Sequence, residues 1–179
     1  MNRFFIAILP PQHIQDYANE IKQHFVNNYG SRGAQNSPPH ITLQPPFMWE
    51  KKEISILETF METFAKKQNY LPITLDGFAA FPPRVIYINV VKSQAILKLQ
   101  SDLMNDIESS LGIIGKDGKN HSFTPHLTVA RRDLKKDDFP AAWNDFKERQ
   151  VYFEFTPSHL TLLLHDGRQW NVKSEFSFQ

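Results

Sequence analysis

The chain has 179 residues, 41% of them hydrophobic, with 20 basic against 19 acidic side chains for a formal net charge of +1, and no cysteine. That length and apolar content suit one generous domain, or two small lobes sharing a core, and argue against disorder. The near-neutral balance excludes a protein that coats nucleic acid through a global field, so any RNA is gripped locally, at an end. Without cysteine there are no disulfides, thiolate metal sites or cysteine nucleophiles, which fits a reducing cytoplasm.

At the N-terminus Arg3 precedes the apolar run Phe4 to Leu9. The run is short, stops at Pro10-Pro11 and lacks a small-residue cleavage site, so it reads as a first buried strand and not as a signal peptide. No later run approaches the roughly 18 apolar residues needed to span a bilayer, and a soluble, cytoplasmic protein without membrane contact is expected. Ile14, Tyr17, Ala18, Ile21 and Phe25 recur at helical spacing and predict an amphipathic helix over about 12–27. A polar loop then leads to Pro39-His40-Ile41-Thr42-Leu43, a strand cut short by Pro45-Pro46, whose nitrogens carry no ladder proton.

Ile54, Leu57, Phe60, Met61 and Phe64 mark a second helix ending near Asn69. Residues 71–81 and 84–91 read as strands separated by Pro82-Pro83. A third helix carries Ile96, Leu97, Leu103, Met104, Ile107 and Leu111, with Ser93 as N-cap and Gly112 as its stop. The polar stretch Gly115 to His121 is a loop, and Pro125-His126-Leu127-Thr128-Val129 follows. A weak charged helix over about 136–148 precedes strands at 151–156, 159–165 and 170–178, the last two joined by a hairpin at Asp166-Gly167.

Two of these segments share one pattern, Pro-His-apolar-Thr-apolar, 86 residues apart. On a strand, alternate side chains face opposite ways, so His40 and Thr42 share one face while Ile41 and Leu43 enter the core; His126 and Thr128 stand likewise over Leu127 and Val129. Imidazole and hydroxyl are then roughly 6 to 7 Å apart, a spacing that suits a phosphate. A single copy is more often a satisfied edge histidine than a catalyst, but one copy arises by chance in only about one such chain per thousand, and two far more rarely. The order helix, motif strand, helix, strand pair occurs in both halves and suggests an internal duplication.

Two imidazoles facing a phosphate form a matched base and acid near neutral pH, one taking a proton from the attacking oxygen and the other giving one to the departing oxygen. The threonine hydroxyls can bond the non-bridging oxygens, where charge builds up. No cofactor or metal is needed. The seven histidines contain no His-Glu-x-x-His or His-x-His element, Gly115-Lys116 lacks P-loop spacing, and no Gly-x-Ser-x-Gly elbow is present. His121, His159 and His165 repeat no motif and read as structural or exposed.

The paired His-x-Thr motifs, half a chain apart, resemble the 2H phosphoesterase superfamily, especially its RNA 2',3'-cyclic phosphodiesterases, also called 2'-5' RNA ligases. That resemblance implies an α+β fold in which residues 1–179 form a single domain of two intertwined, pseudo-symmetric lobes, two antiparallel sheets flanked by helices around a central cleft. It implies a monomer that opens 2',3'-cyclic phosphates on RNA 3'-ends or small nucleotides to 2'-phosphates, with His40, Thr42, His126 and Thr128 in the site. His126 would be the base and His40 the acid, although pseudo-symmetry leaves that polarity open. Ligation, the reverse reaction, is secondary because water at about 55 M competes unless it is excluded.

Around this set, Arg131 is a candidate phosphate contact, provided that a bulge or strand end turns it back toward the cleft. Phe123 and Phe47 are candidates for stacking on a base or ribose, in competition with core packing among fifteen phenylalanines. Gln44, in a Gln-Pro-Pro sequence that departs from the family pattern, is a candidate for the outer pocket. Arg84, Arg131-Arg132 and Lys135-Lys136 could guide an RNA terminus, diluted by Asp133, Asp137 and Asp138. Hydrolysis of another cyclic phosphate, such as an ADP-ribose cyclic phosphate or a cyclic nucleotide, and a non-catalytic nucleotide-binding module are the competing readings.

Overall fold

The computed structural model describes residues 1–115 and 122–179; most of the loop expected from Gly115 to His121, and His121 itself, lie outside the described residues. Strand β1 (Asn2–Ile8) alternates cleanly, with Phe4, Ile6 and Ile8 in the main core and Phe5 and Ala7 on the other face. Being buried on both faces, it occupies an inner position, between β2 (Ile41–Trp49) and β7 (His159–His165), with β8 (Trp170–Ser177) beyond β7. A second four-stranded sheet runs in the order β5 (His126–Ala130), β4 (Val85–Val90), β3 (Ile73–Phe81), β6 (Tyr152–Phe155). Every pairing is antiparallel.

The two sheets are built alike around the motif strands. Strand β1, helix α1 (Gln12–Tyr29) and β2 correspond to β4, helix α3 (Gln94–Leu111) and β5, and each motif strand lies at a sheet edge beside the strand that precedes its helix. The helices cross over: α1 packs against β5 and α3 against β2, so each motif strand is backed by the other unit's helix. Helix α2 (Ile54–Lys66) covers β7 and β8. Helix α4 (Phe139–Phe146) stacks Phe146 on Phe25 of α1 at 5.0 Å and edge-on to Phe78 of β3 at 5.2 Å. One apolar cluster runs through both sheets and all four helices.

Local signals act as their chemistry requires. The Ser93 hydroxyl accepts from the Ile96 N–H at 3.2 Å, and Gly112, at φ 68°, closes α3 in the left-handed conformation that glycine adopts without strain. Three boundaries differ from expectation. Helix α2 stops at Lys66, short of Asn69. Helix α4 starts only at Phe139, because Pro140 is tolerated in a first turn but not farther inside. Strand β2 continues through Pro45-Pro46 to Trp49, since an edge strand can leave those positions unpaired, and it does so through two register shifts against β1.

Candidate active site

The two motif histidines are held the same way. His40 Nδ1 is 2.7 Å from the Pro38 carbonyl oxygen, and His126 Nδ1 is 2.8 Å from that of Thr124, in each case two residues back along the chain. A carbonyl only accepts, so each Nδ1 carries the proton and each Nε2 is the atom left for chemistry. Both rings are flanked by aromatics: Phe5 of β1 lies 4.8 Å from His40, and Tyr87 of β4 and Phe81 of β3 lie 5.2 and 5.1 Å from His126. Thr42 pairs with Ala7 and Thr128 with Tyr87. Both threonines are half-buried beside their histidines.

Burial pushes His40 down to about 4; the bond to Pro38 opposes this, and the positive charges of Lys22 and Arg131, with His126, add to it. Burial also lowers His126, partly offset by its Thr124 bond. Both imidazoles are therefore neutral at pH 7 in the free cleft. Among the described residues no group of three or more His, Cys, Asp or Glu side chains gathers that could hold a metal ion.

Strand β5 ends at Ala130, and this strand end returns Arg131 to the pocket that His40 and Thr42 line. Its Nε is buried without a hydrogen-bond partner, and burial and Arg132 both work against its charge, with Asp133 opposing. Arg3, Arg132 and Trp170 line the same pocket. The turn is secured by Asp133, whose carboxylate accepts from the Ser31 hydroxyl at 2.8 Å and from the Arg32 and Gly33 N–H groups at 2.7 and 2.9 Å. Burial opposes ionisation of Asp133, but these donors outweigh it and hold the carboxyl below its ordinary range. The turn after the second motif is thus clamped to the loop before the first. Gly33 suits the close approach there, because a Cβ would come 3.1 Å from both the Arg131 carbonyl oxygen and Asp133 Oδ1 and would push them back by a few tenths of an ångström.

Beneath this pocket lies Lys22, 2% exposed, its Nζ donating to the Ser37 carbonyl at 2.9 Å. Burial, with Arg131 nearby, pushes it down to about 8. Successive carbonyls thus brace the site, Ser37 taking Lys22 and Pro38 taking His40.

Three expected contacts pack on or into the core. Gln44 is 1% exposed and pairs with Ile6, whose side chain is in the core. The extra β2 residue between Thr42 and Gln44 turns Gln44 to the opposite face, where Nε2 donates to the Pro45 carbonyl at 3.0 Å and Oε1 has no partner. After the second shift Phe47 pairs with Phe4 and stacks on it at 6.2 Å, and Phe123 packs against the core. Arg84 is near the cleft's rim, 3.5 Å from the Arg132 carbonyl. His159 is 3.3 Å from Glu175, and His165 lies against the Trp170 ring.

Sequence reasoning missed Lys22, Arg3, Asp133, Trp170 and Phe81. Lys22 had a signal: it falls on the buried stripe of α1 with Ala18 and Phe25, where a lysine needs a reason. Arg3 had one too, at period two from Phe5 and Ala7.

The family model of the 2'-5' RNA ligase superfamily matches residues 10–169. Relatives include proteins named "Putative phosphoesterase" from Geobacillus kaustophilus, 29% identical, and Geobacillus sp. strain WCH70, 28% identical, each alignment covering 97% of this chain and 95% of the relative. Among solved structures, Escherichia coli LigT complexed with 3'-AMP superposes with a TM-score of 0.72 at 18% identity, over 99% of this chain and 98% of that one. TT0787 of Thermus thermophilus gives 0.70 at 21% identity, over 98% and 97%. The two-sheet fold is therefore shared with both.

Proposed function

Because the chain belongs to the 2'-5' RNA ligase superfamily, we propose that it is a metal-independent phosphodiesterase opening 2',3'-cyclic phosphates, on RNA 3'-ends or nucleotides, to 2'-phosphates. The observation that carries this reading is the matched pair of Nδ1–carbonyl bonds, which leaves two Nε2 atoms free beside a cation-rich pocket. Water attacks phosphorus as one Nε2 takes its proton; the P–O3' bond breaks and the other Nε2–H protonates O3', leaving a 2'-phosphate and a free 3'-hydroxyl. The substrate's negative charge supplies the field that puts the proton on the acid, since neither ring holds it in the free cleft. The threonines and Arg131 meet the non-bridging oxygens. The same ring opening with an RNA 5'-hydroxyl attacking phosphorus in place of water would give 2'-5' ligation, the P–O3' bond again breaking and O3' taking the proton.

Lys22 and Arg131 oppose a proton on His40, which favours His40 as base and His126 as acid, the reverse of the polarity the resemblance implies. A substrate with sulfur in place of the 3'-bridging oxygen needs no acid, so whichever His→Ala variant still turns it over has lost the acid.

The first test is incubation with an RNA oligonucleotide ending in a 2',3'-cyclic phosphate, in EDTA, beside His40→Ala and His126→Ala. A 2'-phosphate made by the wild type and lost in both variants supports the reading. A 3'-phosphate product, or activity only with added metal, overturns it; no turnover points to another cyclic phosphate or to a binding module.

A further inference from the structure

A 2',3'-cyclic phosphodiester carries one negative charge, yet four cations gather on the His40 side of the cleft: Arg3, Lys22, Arg131 and Arg132. Among the described residues no carboxylate lines that pocket. The nearby Asp133 is engaged by Ser31, Arg32 and Gly33. The cations fall into two groups. Lys22 and Arg131 are buried or half-buried and act electrostatically on His40. Arg3 and Arg132 are exposed and stand farther out.

Position separates Arg3 from the reacting phosphate. Phe5 lies 4.8 Å from the His40 ring, and Arg3 is the next residue on that face of β1, about 7 Å farther along at the rise of a strand. Its guanidinium does not drift into solvent but lies over the Trp170 ring, 5.2 Å from the centroid, on the cleft face. Arg132 is held with comparable care. It is the sole described non-glycine residue at positive φ, 53°, a conformation that persists only where its surroundings impose it. Here the Asp133 N–H bonds the Arg131 carbonyl at 2.6 Å, and the Asp133 clamp fixes the rest. The pocket these arginines line also includes Pro46 but neither His126 nor Thr128, so it runs along β2 away from the point between the histidines.

We propose that Arg3 and Arg132 form a second phosphate subsite, beside the histidine pair, that takes the phosphate on the 5' side of the reacting nucleotide. This rests on the phosphodiesterase reading and narrows its substrate to an RNA end or a 5'-phosphorylated nucleotide. In an RNA 3'-end the nearest phosphate to the cyclic one is the one carried by O5' of the same ribose. Charge-assisted contacts of this kind discriminate by roughly tenfold to a hundredfold.

The experiment is calorimetric titration with adenosine 2'-phosphate and adenosine 2',5'-bisphosphate, which differ only in the 5'-phosphate, against wild type, Arg3→Gln and Arg132→Gln. Circular dichroism monitors folding of each variant. The wild type should bind the bisphosphate roughly tenfold to a hundredfold more tightly; that ratio should fall toward one in both variants and shrink in the wild type as salt is raised. Equal affinities in the wild type, or a preference that survives both substitutions, overturns the subsite. Because the readout is binding, a bisphosphate preference without turnover of cyclic phosphates would uphold the subsite and sink the catalytic reading, while turnover with equal affinities would do the reverse.

Discussion

Replacing Lys22 by methionine should weaken catalysis without weakening the fold. At pH 7 the lysine is charged while 2% exposed, with a carbonyl as its hydrogen-bonded partner and, among the described residues, no carboxylate in contact. Its fall from the usual 10.5 to about 8 corresponds to about 3 kcal/mol against the charged form in the native state. Methionine fills similar space, removes that penalty and gives up the bond to Ser37, about 1.5 to 3 kcal/mol for a charged donor. The two effects nearly cancel, so thermal denaturation at pH 7 should show little change or a small gain. The sign with pH is definite. Between about 8 and 10.5 the unfolded chain keeps a proton that the native protein has released, so wild-type stability rises with pH across that window and the cost is fully present below it. The variant should lack that rise. Activity should move the other way: loss of a cation beside the phosphate and of the brace on Ser37 should lower kcat/KM roughly tenfold to a hundredfold. Wild-type kcat/KM should also decline as pH passes about 8, where Lys22 loses its charge, and Lys22→Met should lack that limb. A variant destabilised by several kcal/mol, or one with unchanged kcat/KM, would refute this account of Lys22.

His40→Ala and His126→Ala should each lower kcat by about 10² to 10⁴, and the double variant should fall little further, because acid and base act as a unit; single-turnover kinetics measures this. Gly33→Ala should raise KM severalfold with kcat nearly kept, since its Cβ would press on the Arg131 carbonyl and Asp133 from 3.1 Å and displace the arginine turn; steady-state kinetics separates the two. Gln44→Met should leave turnover unaltered and raise stability by about 1 kcal/mol by removing a buried Oε1 that has no partner, as read by chemical denaturation. A loss of activity there would restore Gln44 to the site.

The histidine pair was legible because both copies of the motif combine strand alternation with a hydroxyl two residues on. Helices α1, α2 and α3 were legible from apolar periodicity, and the ends of α3 from Ser93 and Gly112. The register of β2 was not, because an added residue leaves composition unchanged yet exchanges faces, sending Gln44 into the core and packing Phe47 against it. The pairing of β1 with β7 was hidden for another reason: Phe4 meets Leu164, and nothing local in either strand names a partner so distant. The arginine pocket follows from that pairing, since Arg3 and Trp170 meet only once the two ends of the chain share a sheet. Lys22 was readable as an anomaly on a buried stripe, but its meaning depended on the Ser37 carbonyl and Arg131, which lie on other segments.

Sheet membership also sets an order of assembly on the ribosome. The sheet of β3, β4, β5 and β6 is complete in sequence once Phe155 has emerged, whereas β1 and β2, made first, must wait for β7 and β8. During that interval a nascent β1, apolar on both faces, has only one of its two neighbours and presents an open hydrogen-bonding edge. The cleft wall bearing His40 is therefore finished last, so a ribosome stalled between β6 and β7 would carry one finished sheet and a tethered β1–α1–β2 segment still waiting for its partner strands.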